Sequence, residues 1–237
     1  MKRETRTRTR FIPLMIMGFL LIFTNNCSKD KDENGNGNEN FSMKDGDGNV
    51  YTSVVIGTQE WLKENLKATK YNDGTTIPLV TDYTAWNQLE TPGYCWLNND
   101  EGTYKNVYGA LYNSYAVNIG KLCPSGWHVP TDAEWTTLTT YLGGESVAGG
   151  KLKETGTAHW LSPNIGATNE SGFSGLPGGM RINTGQFWSL GENGFWWSST
   201  SEQYNGNYYR YLSYGSSDIH RSISSPSALG NSVRCIK

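Results

Sequence analysis

Charged side chains are scarce in this 237-residue chain, where they make up 18% of the residues, and no excess of positive charge appears. The first 26 residues carry five basic side chains and one acidic side chain, so the remainder carries 15 basic and 21 acidic ones, a net charge of −6. A mature protein of this charge should not attract phosphate backbones or anionic lipid surfaces. Nucleic acid is therefore not expected as a partner.

Long hydrophobic runs are also absent, since the apolar stretch from Phe11 to Phe23 is shorter than the ~20 residues that a membrane-spanning helix needs. Preceded by basic residues, it predicts a signal peptide over residues 1–26. Cys27 follows directly, ahead of a polar tether over residues 27–42. This placement resembles a bacterial lipoprotein, which implies lipidation at Cys27 and a surface-exposed position on the outer membrane. The alternative is a secreted protein with an incidental Cys27.

Metal-ligand patterns are missing as well. The three histidines, His128, His159 and His220, show no ligand spacing. The stretch "DGDGN" has the alternate oxygen ligands of a calcium loop, but Ile56 stands where the bidentate carboxylate is required. Turn chemistry explains this stretch better, and no metal or cofactor is predicted.

What the chain does have is 28 glycines, 14 tyrosines and 9 tryptophans, a composition typical of short strands and turns on an aromatic framework. One domain is predicted over residues 43–237. It should begin with a hairpin, because β-branched and aromatic residues from Val50 to Ile56 are followed by Gly57-Thr58 and a second short run.

The stretch "CPSGWHVPTDAEW" contains a helix start, since Thr131 and Glu134 have the spacing of a capping box. Trp135, Leu138 and Leu142 then recur at helical spacing, before a Gly-Gly pair that ends the helix. We therefore interpret Glu134 as a capping residue. A catalytic role is the alternative, but the motif supplies no partner at a fixed distance, and no catalytic residue is predicted.

The last quarter of the chain predicts strands in "FWWSS", "NYYRYLSY" and "SVRCI". Alternation places Tyr209 and Tyr211 on one face of their strand, with Arg210 and Leu212 on the other. Between the capped helix and these strands, residues 143–194 are rich in Gly, Ser and Asn. A stretch of this length and composition is predicted to fold on itself or to bind a ligand.

Six ordered motifs, "DGNVYTSVVIGTQEWLKENLKATKYNDGTTIPLV", "YCWLNNDEGTYKNVYGALYNSYAV", "LCPSGWHVPTDAEW", "GFSGLPGGMR", "FWWSST" and "SVRCIK", resemble the Fibrobacter succinogenes major paralogous domain. That family implies a cell-surface lipoprotein without an established activity. "HVPTDAEW", "LPGGMR" and "SVRC" are also distantly similar to formylglycine-generating-enzyme-like domains. This likeness implies an α+β, C-type-lectin-like fold: two short helices beside a small, mostly antiparallel sheet, with long irregular loops and adjacent chain ends.

The same architecture implies a disulfide between Cys123 and Cys235, because it brings the segment before the capped helix close to the final strand. Cys95 is then left as a buried small hydrophobic residue. The alternative for Cys95 is a reactive thiol.

We expect a non-catalytic binding or adhesion domain, with an extracellular glycan or cell-surface ligand as partner and membrane contact through the lipid anchor only. Candidate ligand-binding residues lie in the Gly-rich segments, where rings and amides could face solvent. They are Trp160, Trp188 and Tyr204, with Asn164, Asn205 and Asn207. The alternatives are an enzyme related to formylglycine-generating oxidases, whose copper-binding cysteine pair has no identifiable counterpart here, and a purely structural surface protein.

Overall fold

The computed structural model describes residues 43–202, 206–224 and 229–237. Within these ranges the chain forms five short α-helices, one 3-10 helix (Leu97–Asn99) and eleven strands. The helices are α1 (Tyr83–Asn87), α2 (Glu101–Tyr108), α3 (Ser114–Asn118), α4 (Asp132–Tyr141) and α5 (Glu145–Leu152). The strands are β1 (Met43–Lys44), β2 (Val50–Tyr51), β3 (Ser53–Ile56), β4 (Gln59–Leu62), β5 (Tyr94–Trp96), β6 (Ala110–Tyr112), β7 (Gly178–Arg181), β8 (Phe187–Leu190), β9 (Asn193–Glu202), β10 (Gly206–Ser213) and β11 (Ile219–Ile223).

The largest sheet has five strands in the order β11-β10-β9-β7-β8. All its pairings are antiparallel except that of β7 with β9, which meet in parallel at Gly179 and Gly194. Three two-stranded sheets, β1-β2, β3-β4 and β5-β6, complete the strand pairings. The α+β class with small, mostly antiparallel sheets is confirmed. The expected number of two helices is wrong, because α1, α2 and α3 also form, each within a segment of mixed aromatic and turn residues and each with an Asp or Asn side chain capping its first turn.

The predicted hairpin is present as β3 and β4, which pair from Ser53–Leu62 to Ile56–Gln59. Upstream, the "DGDGN" stretch is a turn closed by Asp45, whose Oδ1 accepts hydrogen bonds from the backbone N–H groups of Asp47 and Asn49. The second oxygen of this carboxylate accepts a bond of 2.6 Å from the buried Tyr51 hydroxyl. The Asp45 side chain thus fixes the turn to the core.

The capping box is confirmed at the start of α4. The Thr131 hydroxyl accepts from the Glu134 N–H at 3.2 Å, and the Glu134 carboxylate accepts from the Thr131 N–H at 2.7 Å. Burial disfavours the Glu134 carboxylate, but hydrogen bonds from Thr131 and His128 outweigh this effect and lower its pKa. Trp135 and Leu138 are buried on the inner face of the helix, as their spacing predicts.

The core of the described residues contains three hydrophobic clusters, and two of them meet at β9. Trp196 belongs to the cluster around α4, where Trp61 and Trp135 have ring centroids 4.8 Å apart. Trp197, its neighbour in sequence, belongs to the other cluster and donates a hydrogen bond of 2.6 Å from its indole N–H to the Tyr112 carbonyl. Successive residues of a strand point to opposite faces, so β9 separates the clusters and contributes a buried ring to each.

The predicted disulfide between Cys123 and Cys235 is present, with Cα atoms 6.0 Å apart and a sequence separation of 112. Cys95 is buried and free, and burial raises the pKa of its thiol to about 12. The final segment, however, is not the strand that the sequence predicts. It makes only isolated bridges, such as those of Ile236 with Trp61 and with His128.

Residues 153–177, between α5 and β7, form an irregular segment built around Lys153. This side chain is fully buried, and its ammonium group donates three hydrogen bonds of 2.8 Å to the carbonyls of Ile165, Ser213 and Ser216. Burial lowers the pKa of Lys153 to about 8. The segment therefore folds on itself, one of the two possibilities that the sequence left open.

Candidate functional site

The predicted ligand-binding tryptophans have opposite environments. Trp160 is 1% exposed, donates its indole N–H to the Gly175 carbonyl at 3.0 Å, and lies beneath the Lys153 ammonium, 5.4 Å from the ring centroid. We therefore withdraw Trp160 as a surface residue, because the segment packs inward around Lys153. Trp188, in contrast, is 55% exposed on β8 and stays a candidate.

The predicted asparagines are buried where the structure describes them. Asn207 is 1% exposed, and its amide donates to the Asn118 side chain at 2.8 Å and to the Ser198 carbonyl at 3.2 Å. Asn164 is likewise buried, with its amide bonded to the carbonyls of residues 154 and 156. Both amides hold the backbone together and are not available to a ligand. Tyr204 and Asn205 lie outside the described residues.

Trp188 begins a line of side-chain rings across the five-stranded sheet, which we name the aromatic row: Trp188, Phe195, Tyr211 and His220. The Trp188 and Phe195 centroids are 6.3 Å apart, those of Phe195 and Tyr211 are 5.6 Å apart, and those of Tyr211 and His220 are 4.5 Å apart. Phe195 is buried, while Tyr211 and His220 are partly exposed. The aromatic row thus lies partly at the surface, and its most exposed ring, Trp188, is at one end.

Strand register explains the row. Tyr211 is the direct cross-strand partner of Phe195 on β9 and of His220 on β11, so these three rings share one face. Arg210 and Leu212 are buried on the opposite face, as alternation predicts. The sequence places Tyr211 correctly but not the rings beside it, because pairing partners are not encoded in local alternation.

A second candidate site, missed by the sequence analysis, is a cavity of about 430 Å³, which we name the cationic pocket. Its charged lining comes from separate parts of the chain: Lys63, Lys67, Lys105, Glu154, His159 and Arg234, with Glu64 beside them. Gly109 forms part of the wall at φ +73°, and a Cβ there would lie 2.6 Å from the Leu66 carbonyl oxygen. The backbones at Gly109 and Leu66 lie too close together for a side chain at position 109, which therefore requires glycine.

Arg234 gives the pocket a buried positive charge. Its guanidinium donates to the carbonyls of Leu62 and Phe173 at 3.2 and 2.6 Å, and to the Asn65 side-chain oxygen at 2.7 Å. The side chain is 1% exposed, and burial lowers its pKa to about 9. Among the described residues it has no carboxylate within 4.0 Å. Neutral oxygens bond the guanidinium directly, and the Glu64 carboxylate attracts it from beyond salt-bridge distance.

Glu154 and His159 form the acidic side of the pocket. The His159 Nδ1 atom lies 2.8 Å from Glu154 Oε2, and the imidazole meets the Tyr108 ring edge to face, with centroids 5.9 Å apart. No group of three or more His, Cys, Asp or Glu side chains within the described ranges could hold a metal ion. The pair supplies hydrogen-bonding atoms to the pocket.

Comparison with known families identifies the domain. The model of the Fibrobacter succinogenes major domain matches residues 54–237, more than half of the chain. The chain belongs to this family. No curated protein and no solved structure matches it.

The Fibrobacter succinogenes major domain contains both the aromatic row and the cationic pocket. The compact structure continues upstream of the matched residues, because Tyr51 on β2 is fully buried and its hydroxyl accepts from the Lys67 N–H at 3.0 Å. No helix in the described part of the chain is long and apolar enough to cross a membrane.

Proposed function

We propose that this protein is a surface-anchored, non-catalytic binding module that holds a polysaccharide chain against the aromatic row. One observation carries the proposal: Trp188 is 55% exposed at one end of the aromatic row, in which Phe195, Tyr211 and His220 are held side by side by the pairing of their strands. Large aromatic side chains provide extensive rigid contact area at a small entropic cost, so an exposed one indicates a contact surface.

Carbohydrate chemistry suits such a surface. A pyranose ring presents C–H bonds on its flat faces and hydroxyls at its rim, so the faces pack on indole and phenol rings while the rim stays hydrated. The partly exposed His220 and Tyr211 add polar atoms at the other end of the row. A β-1,4-linked glucan, whose extended chain presents one flat sugar face after another, is the ligand class that we propose.

Replacing Trp188 with Ala should abolish most of this binding without unfolding the protein. Loss of an aromatic residue that anchors a ligand typically costs about 2 kcal/mol, or roughly thirtyfold in affinity. Because the ring is exposed, the melting temperature should change little. Retention on amorphous β-1,4-glucan and thermal unfolding measure the two effects.

Tyr141 provides a matched control, because it is 64% exposed on α4 and does not belong to the aromatic row. The Tyr141→Ala variant should be retained on the glucan as strongly as the wild type is. Equal retention by all three proteins would rule out the aromatic row as the binding surface, and absence of retention by the wild type would favour the structural alternative.

Anchoring through Cys27 is the second part of the proposal, supported by the basic segment, the short apolar run and the polar tether. Cys27→Ala should block lipidation and move the protein from the membrane fraction to the soluble fraction. Radiolabelled fatty-acid incorporation and cell fractionation would measure this, with Ser28→Ala as the control that keeps the anchor. Unchanged membrane association of the Cys27 variant would contradict lipoprotein anchoring.

A C-type-lectin-like arrangement of the domain is also part of the proposal. Support comes from the junction of early and late segments, where the Leu62 N–H donates to the Cys235 carbonyl at 3.0 Å and Trp61 bridges Ile236. The irregular segment between α5 and β7 matches the long loop expected of such domains.

The alternative of an oxidase related to formylglycine generation has less support. Cys123 and Cys235 are bonded to each other, and Cys95 is buried with a raised thiol pKa. Thiolate ligands need deprotonated sulfur, which burial of Cys95 opposes.

A further inference from the structure

The cationic pocket has a local charge opposite to that of the protein as a whole. Its lining contains four permanent cations, Lys63, Lys67, Lys105 and Arg234, but only two carboxylates, Glu64 and Glu154. Residues 27–237, in contrast, carry a net charge of −6. A concave site lined by an excess of one sign focuses its field and raises the local concentration of oppositely charged ligands. The pocket therefore favours an anion.

Two of these cations are free to contact a ligand. Within the described ranges, neither Lys63 nor Lys67 has a carboxylate within 4.0 Å, and the Lys67 ammonium bonds only to the Asn106 side-chain oxygen, at 3.2 Å. Lys105 is already paired with Glu101 at 2.7 Å. Arg234 has its donors committed to protein oxygens, so it contributes its field. Lys63 and Lys67 are the residues that would bind the anion directly.

The other polar atoms indicate what else the ligand carries. The Asn106 amide nitrogen, the Ser174 hydroxyl and the Glu154–His159 pair line the same cavity. Such mixed donors and acceptors suit hydroxyl groups, which both donate and accept. The carboxylates of Glu64 and Glu154 also disfavour a compact dianion, because like charges repel at short range. A singly charged acid with several hydroxyls fits this lining best.

We infer that the cationic pocket binds a hexuronate, a sugar acid whose carboxylate lies between Lys63 and Lys67 and whose hydroxyls face Glu154 and His159. The cavity of about 430 Å³ falls within the usual range for small-molecule sites, roughly 300–1,000 Å³. The pocket shares no residue with the aromatic row, so this inference stands independently of the proposed glucan binding.

Calorimetric titration of the full domain with galacturonate, a hexuronate with one carboxylate, tests the inference. The wild type should bind it, and neutral galactose should bind at least about tenfold more weakly, because it lacks the charged group that the lysines contact. The Lys63→Gln/Lys67→Gln double variant should lose affinity by about tenfold or more. Lys44→Gln/Lys151→Gln, which removes the same charge from lysines outside the pocket, should leave affinity within about twofold.

Several results would overturn the inference: no binding of galacturonate to the wild type, equal affinity for neutral galactose, or unchanged affinity in the Lys63/Lys67 variant. Inorganic sulfate at equal concentration provides a further check, since displacement of the sugar acid by sulfate would reduce the site to a general anion site. All the substituted lysines are at least partly exposed, so the variants should fold, and their thermal unfolding curves verify this.

Discussion

Replacing Arg234 with Met should lower the free energy of unfolding by about 4 kcal/mol, one of the largest effects expected for a single substitution in this protein. The guanidinium bonds to the carbonyls of Leu62, Lys63 and Phe173 and to the Asn65 side chain. A methionine of similar length removes these donors, and each buried acceptor left unsatisfied costs about 1–3 kcal/mol. The Asn65 oxygen keeps another donor, the Trp196 indole N–H at 2.8 Å. Relief from burying the charge offsets part of the loss.

Urea unfolding followed by tryptophan fluorescence would measure the change. Arg221→Met is the matched control, because the Arg221 side chain is 43% exposed and its partner Asp132 keeps the buried Arg210 as a second partner. The control should cost less than about 1 kcal/mol. Equal losses for the two variants would show that Arg234 is no more important than a surface arginine.

Loss of the Cys123–Cys235 disulfide should destabilise the protein by a similar amount, about 4–5 kcal/mol for a closed loop of over one hundred residues. The main cause is the greater conformational freedom of the unfolded chain once the loop is opened. The Cys123→Ala/Cys235→Ala variant should therefore unfold at a much lower urea concentration than the oxidised wild type.

A reducing agent provides the control for this experiment. It should lower the stability of the wild type towards that of the double variant, and it should leave the double variant unchanged, because Cys95 is buried and unpaired. A double variant as stable as the oxidised wild type would contradict the chain-entropy argument.

Local signals in the sequence predicted local structure well. The capping box at Thr131 and Glu134 and the turn at Gly57-Thr58 depend on residues a few positions apart, so their geometry follows from spacing alone. The disulfide was also predicted, but only through the architecture that the family resemblance implies. Spacing of cysteines by itself does not determine their pairing.

Trp160 shows why the exposure of the candidate residues was harder to predict. Its Gly-rich flanks suggest an exposed loop, yet the segment closes around the ammonium group of Lys153, whose acceptors include carbonyls 60 and 63 residues away. Long-range hydrogen bonds to the backbone leave no pattern in sequence, because any residue can supply a carbonyl. Asn207 is buried for a similar reason, through its bond to Asn118.

The cationic pocket could not be predicted from the sequence for a related reason. Lys63 and Lys67 are close along the chain, but Lys105, His159 and Arg234 come from distant segments. A net charge describes the whole chain and averages away such a local excess. Residues 27–237 are acidic overall, but the fold brings several of their cations together in one cavity.

Because β9 lies between two of the hydrophobic clusters, its position also affects how the domain unfolds. Trp196 and Trp197 anchor opposite faces of this one strand, each in a different cluster. Neither cluster can therefore lose its packing without weakening the strand on which the other is built. This shared strand couples the two clusters, so we expect them to unfold as a single cooperative unit and not as two independently melting subdomains.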